Sequence, residues 1–191
     1  MSDLYYEMIV AMTPDGVIGI TDESGKQTIP WNLREDMRIF REKTADAILI
    51  MGRKTFDSLP NGPLKGRIHV VVTRTPALYT PEYIDNDDVF FTQLDDVDYI
   101  VGMLLEVYPD KRLFVCGGAD VYKCFFDRCK ILHATIVYVN VEDDPRPCRS
   151  VTKIDYSVME ARFVEIETTG KRISNGDERI QYEHRVLQKI H

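Results

Sequence analysis

Asp36 stands on a helix face that should be apolar. In the stretch IPWNLREDMRIFREKT, residues 29–44, Leu33, Met37 and Phe40 recur at i, i+4 and i+7. That spacing makes an apolar stripe, with Leu33 and Met37 expected to pack inside. Asp36 falls three residues after Leu33 and four before Phe40, on nearly the same side. A carboxylate in an apolar cleft has its charged form disfavoured, so its pKa rises. It can then hydrogen-bond a polar ligand or assist proton transfer near neutral pH. The plainer alternative is a buried Asp satisfied by a neighbour, or a helix rotated enough to expose it. Trp31, just before the helix, offers an indole N–H donor beside an apolar wall.

Three other stretches carry chemistry suited to anions. In MGRKTFDSLP, residues 51–60, a strand ends at Gly52 and Arg53, Lys54 and Thr55 open a helix. Cations conflict with the helix dipole there, and a ligand anion would resolve the conflict. Arg74 follows a later strand. In VCGGADVY, residues 115–122, Gly117 and Gly118 sit between a strand and a helix start. Bare backbone at a helix N-terminus suits a phosphate, although the full GxGxxG spacing is absent and a tight turn alone would explain the glycines. In PLKGRIHVVVT, residues 63–73, Arg67 leads into a strand, where it can meet a carboxylate bidentately or simply face solvent.

The elements that must position these residues alternate. Residues 5–12, 47–52, 67–73, 112–118 and 131–141 read as strands rich in β-branched residues. Most run apolar without strict alternation, the pattern of strands covered on both faces. Helices are expected over 33–43, 53–58, 94–107 and 119–127. This order predicts an α/β/α sandwich around a largely parallel sheet. Residues 161–170 and 178–189 read as an antiparallel pair joined by the polar ISNGD loop. The segment EDDPRPC, 142–148, reads as a charged loop too short to divide the chain, so residues 1–191 are expected to form a single domain.

With 191 residues, 44% hydrophobic and 29% charged, the chain can bury a core and keep a cleft. A net charge of −7 argues against a nucleic-acid binder, but leaves room for one phosphorylated small molecule. Cys116, Cys124, Cys129 and Cys148 form no CxxC pair and no zinc pattern, so no metal is expected. Cys124 and Cys129 are expected to be buried thiols in a reducing compartment. The start MSDLYYEMIV lacks a basic region before an apolar core, and no apolar run could span a bilayer. A cytoplasmic location and no membrane partner are therefore expected.

Taken together, IVAMTPDGVIG (9–19), PWNLREDMRIFREKT (30–44), ILIMGRKTFDSLP (48–60), PLKGRIHVVVTR (63–74), LFVCGGADVYK (113–123) and the C-terminal β segment closely resemble, in order, the dihydrofolate reductase family. The resemblance implies NADPH-dependent reduction of 7,8-dihydrofolate to 5,6,7,8-tetrahydrofolate, by hydride transfer to pterin C6 and protonation at N5. That reaction serves one-carbon and thymidylate metabolism and is a target of antifolate inhibitors. The implied sheet has about eight strands, mostly parallel, with an antiparallel C-terminal strand.

Residue by residue, the resemblance makes Asp36 the carboxylate that binds the pterin 2-amino group and N3. It gives Trp31 a catalytic place beside it, with water there and in the 19–31 loop as the proton route to N5. Ile9, Val10, Ala11 and Cys116 border the pterin, Phe40, Leu59 and Leu64 wall the rings, and Arg67 meets the folate α-carboxylate. Arg53, Lys54, Thr55 and Arg74 match the adenosine-phosphate side of the cofactor, and Gly52 and Thr73 are further expected cofactor contacts. Gly117, Gly118, Ala119, Asp120 and Val121 match the pyrophosphate turn. Ala11, Ile18, Gly19, Ile20, Cys116 and Tyr122 match the nicotinamide surroundings, Tyr122 also bordering the substrate. Thr135 matches a hydroxyl that bonds the carboxylate, although an ungapped count lands on Ala134.

The 19–31 loop is longer than the compact bacterial pattern, Cys116 replaces an aliphatic residue, and EDDPRPC replaces a Gly-containing loop. A monomer is the family default. The rival enzyme reading is a pyrimidinone reductase of riboflavin synthesis, whose substrate carries a ribityl phosphate; Arg67, Trp31 and Asp36 favour the folate. A non-catalytic folate- or nucleotide-binding module is the rival of a different class.

Overall fold

The computed structural model describes residues 4–144, 146 and 148–190. Pro145 and Pro147 of the charged EDDPRPC segment, and residues 1–3 of the N-terminal reading, lie outside them. Along the chain run β1 (Tyr6–Met12), β2 (Val17–Asp22), β3 (Gln27–Thr28), α1 (Arg34–Lys43), β4 (Ile48–Gly52), α2 (Arg53–Asp57), β5 (Ile68–Val72), β6 (Val89–Thr92), α3 (Val97–Val107), β7 (Leu113–Val115), α4 (Ala119–Phe125), β8 (Cys129–Tyr138), β9 (Cys148–Lys153), α5 (Tyr156–Arg162), β10 (Phe163–Thr168), β11 (Arg172–Ile173) and β12 (Gln181–Lys189). The chain gathers into two compact units, one of Met1–Met8 with Lys43–Cys129, the other of Ile9–Glu42 with Lys130–His191.

In the first unit the strands follow the order β1-β7-β4-β5-β6, and every neighbouring pair is parallel. Ile48, Leu49, Ile50 and Met51 of β4 are all buried, which is why this strand reads as an unbroken apolar run. Helix α3 buries Val97, Val101 and Leu104 at i, i+4 and i+7. The helix expected over 94–107 opens as a short 3-10 turn, Leu94–Asp96, before α3 begins. The one expected over 119–127 tightens into a 3-10 turn after Phe125.

In the second unit β12 lies between β10 and β8 and is antiparallel to both, and β8 is followed by β1. The expected mixed, mostly parallel central sheet of about eight strands, with helices and an antiparallel C-terminal strand, is present. Two readings change here. The expected 19–31 loop is largely a hairpin, because β2 pairs with β3 on one side and β9 on the other. The charged segment after residue 142 leads into β9, with Cys148 opposite Asp22. Strand β6 and helix α5 were not foreseen. Asp155 caps α5 by accepting from the Ser157 and Val158 amides at 3.1 and 3.3 Å. Among the described residues no helix is long and apolar enough to cross a membrane.

Candidate active site

In the second unit α1 places two carboxylates, Glu35 and Asp36, in its first turn, where the exposed amides favour negative charge. Asp36 is half-buried. Burial raises its carboxyl above the ordinary value of 3.8, and the Thr135 hydroxyl, bonded to it, acts in the opposite direction. Thr135 lies in β8 and is 2% exposed. The side chain of Ala134 points to the other face, because strand residues alternate. The bond to Asp36 therefore decides for Thr135. Trp31 packs on a cluster of Leu33, Val137, Ile180 and Tyr182, which anchors the entry to α1.

Met37 was expected to pack but is 52% exposed. The covered sector of α1 runs from Leu33 through Phe40 and Asp36 to Glu35, and Met37 falls past its edge. Glu35 is 6% exposed. Its Oε1 accepts the Asn175 amide at 2.7 Å and its Oε2 the Ser174 hydroxyl at 3.1 Å. Burial alone would raise its carboxyl, yet these donors bring it below 4.5. Ile9 and Val10 are buried and Ala11 half-buried at the end of β1. Ile18, Gly19 and Ile20 belong to β2.

In the first unit the backbones of β4 and the residues after β7 meet closely. The Cys116 amide donates to Ile50 O at 2.8 Å and the Gly52 amide to Gly117 O at 2.6 Å. Gly117 has φ +111°, and a Cβ there would lie 3.2 Å from the Tyr122 ring. A Cβ on Gly118 would lie 3.3 Å from Thr55 Oγ1. The Gly117–Gly118 peptide is cis. Bare backbone, the Thr55 hydroxyl and the start of α4 thus converge, the kind of surface a phosphate-bearing cofactor needs. Ala119 is half-buried, Asp120 exposed and Val121 buried.

Arg53 pairs with Asp57 one turn on, and its guanidinium lies 5.5 Å from the Tyr79 ring centroid. Lys54 and Arg74 are exposed, while Thr73 continues the β5 ladder through its amide to Thr92 O at 2.9 Å. Arg67, read as either a carboxylate partner or a surface cation, is buried, with Nε donating to Thr44 O at 2.9 Å. Burial pushes the Cys116 thiol up and Arg67 opposes it, so the sulfur stays protonated at neutral pH. Leu59 and Leu64 are half-buried.

The family model described as dihydrofolate reductase matches residues 6–181. A dihydrofolate reductase type 9 of Escherichia coli is 34% identical over 155 residues, 81% of this chain and 78% of that protein. The chain belongs to the dihydrofolate reductase family. It shares 31% identity with a dihydrofolate reductase of Pneumocystis carinii, over 72% of this chain and 70% of that one. Among solved structures, a dihydrofolate reductase from Enterococcus faecalis complexed with NADP(H) and RAB-propyl has the same fold, with TM-score 0.68 and 24% identity over 98% of this chain and 97% of that one. The activity is that of a dihydrofolate reductase, an oxidoreductase that uses NADPH to reduce dihydrofolate.

Two residues of this reductase that sequence reasoning missed each hold a segment of their own unit in place. His69, fully buried in β5, accepts the Leu64 amide at Nε2, 3.1 Å away, and its Nδ1 faces Asp88 O at 3.3 Å. Burial lowers its pKa, so the neutral ring holds the segment that carries Leu64 and Arg67. The other is Glu35. The ISNGD segment was its only sequence signal, and it reads as a hairpin loop. Cys124, expected to be buried, is exposed because α4 buries Val121, Tyr122 and Phe125 instead; Cys129 is buried as expected.

Proposed function

We propose that Asp36 grips the pterin of 7,8-dihydrofolate by its 2-amino group and N3. The observation that carries this reading is a half-buried carboxylate, raised in pKa and held by a single buried hydroxyl. Asp36 orients and polarises the pterin. The 2-amino edge and N5 lie at opposite ends of the bicyclic ring, so Asp36 does not deliver the N5 proton directly. Water beside Trp31 and the 19–31 segment is the assigned route. Ile9, Val10, Ala11, Cys116 and Tyr122 border the pterin, Phe40, Leu59 and Leu64 wall the rings, and Arg67 holds the folate α-carboxylate. Antifolates are expected to compete for Asp36.

NADPH, when bound, supplies the hydride for C6. Gly117, Gly118, Ala119, Asp120 and Val121 would hold its pyrophosphate side; Gly52, bonded to Gly117 O, and Thr55, whose hydroxyl faces Gly118, would join them there, which moves Thr55 from the adenosine-phosphate side that the resemblance implies. Ile18, Gly19 and Ile20 would border its nicotinamide. Arg53, Lys54, Thr73 and Arg74 would hold the adenosine phosphate, with Arg53 oriented by Asp57 and Tyr79. The family match runs through 6–181, which supports one reductase domain over 1–191. A cytoplasmic monomer with small-molecule partners and no nucleic-acid partner completes the reading.

NADPH absorbance followed with dihydrofolate, and again after adding an antifolate, tests the assignment. Turnover that the antifolate stops is expected. Arg53→Ala and Arg74→Ala should each lower the NADPH/NADH preference by about one to two powers of ten, the loss of a charge-assisted contact. An unaltered ratio in both variants would show that the phosphate is held elsewhere.

A further inference from the structure

Thr135, the residue that bonds Asp36, is itself in contact with a buried histidine. His184 of β12 lies directly opposite Thr135 of β8 in the antiparallel register. Its Nδ1 is 3.3 Å from Thr135 Oγ1, and the two residues are 5% and 2% exposed. The backbone of His184 is fixed on its other side: its amide donates to Thr169 Oγ1 at 3.0 Å, and its carbonyl accepts the Thr169 amide at 2.9 Å.

A threonine hydroxyl has one proton to give and two lone pairs. If Nδ1 were bare, the imidazole and the Asp36 carboxylate would compete for that proton. If Nδ1 carries a hydrogen, it donates to Thr135 Oγ1, and the threonine proton is left for Asp36. We infer that His184 is a positioning residue for Asp36: its Nδ1–H donates to Thr135 Oγ1 and commits the threonine's one proton to the carboxylate. This rests on the reading of Asp36 as the pterin-binding group.

The neighbouring charged side chains make their contacts elsewhere. His133 stacks on His184, with ring centroids 6.1 Å and planes 12° apart. Glu183 and Arg185 flank His184 in β12 and so point to the opposite face. There they pair with each other, and Glu183 also accepts from the Tyr138 hydroxyl. From α1, Glu35 turns to Ser174 and Asn175. The end of β1, Ile9–Met12, carries no charge. The arrangement favours the ionised carboxylate, because the threonine hydrogen bonds a charged acceptor more strongly than the carbonyl oxygen of the neutral acid. Losing the His184 donor should therefore move the Asp36 titration upward.

The test compares pH profiles of kcat/KM for the full enzyme with NADPH and dihydrofolate. His184→Val should shift the apparent pKa upward by roughly 0.5–1 unit, one ordinary hydrogen bond's worth. His184→Asn keeps an N–H near the Nδ1 position and should restore the wild-type profile. In a Thr135→Val background, His184→Val should add no further shift, since the link is already cut. Nitrogen-15 NMR of the wild-type imidazole should show Nδ1 protonated. A bare Nδ1, or a folded His184→Val enzyme with an unmoved profile, would overturn the inference while leaving the role of Asp36 intact. If Asp36→Asn itself leaves the profile unmoved, the reading of Asp36 fails, and this inference with it.

Discussion

Glu35 and Asp36 are adjacent in sequence, share the first turn of α1, and face opposite environments. Glu35 turns to the Ser174–Asn175 segment, which meets both of its oxygens with donors. Asp36 turns to β8, where burial outweighs the single hydroxyl of Thr135. One carboxyl is pushed below its ordinary value and the other above it. A satisfied carboxylate contributes to structure; an under-satisfied one keeps capacity for a ligand. The helix dipole is common to both, so it cannot be what separates them.

The largest break in this comparison is Asp36→Asn. Turnover near neutral pH should fall on the order of 10²-fold while the shape is kept. The same change should stabilise the ligand-free protein. The folded-state pKa of Asp36 is raised, so the folded protein holds the extra proton, and stability declines as pH rises from 3.8 through the raised value. Removing the charge should raise the neutral-pH melting midpoint by about 2–4 °C, with no gain below the ordinary value.

Glu35→Ala should do the reverse. It leaves the Asn175 amide and Ser174 hydroxyl without their acceptor, so stability should fall by about 1–3 kcal/mol in denaturant titration, with turnover per folded molecule kept. The folded-state pKa of Glu35 is depressed, so its contribution is present above 4.5 and lost as pH falls through the folded value. Thr135→Val should raise the Asp36 titration by roughly one unit, read from the pH–rate profile. Met37→Ser is the smallest expected effect, within about 0.5 kcal/mol, because that side chain is 52% exposed.

What the sequence disclosed were the features whose chemistry is local. The apolar run of β4, the Gly117–Gly118 turn and the misplaced Asp36 could all be read within a few residues. The burial of Glu35 could not, because its hydroxyl partner lies 139 positions away. Nor could the contact of His184 with Thr135, which exists only in the β8–β12 register. The 19–31 segment read as a loop because its two glycines, charges and proline hide a short hairpin whose pairing with β9 is non-local. Met37 was misplaced for a related reason. An apolar stripe predicts which residues could pack, but the turn covering Glu35 sets how α1 is rotated.

The most direct test is a carbon-13 carboxyl NMR titration of the ligand-free enzyme, with Asp36→Asn and Glu35→Gln used to assign the two resonances. Asp36 should titrate above 3.8 and Glu35 below 4.5 in the same sample. Two neighbours titrating together at ordinary values, or in the reverse order, would contradict the division of roles between them.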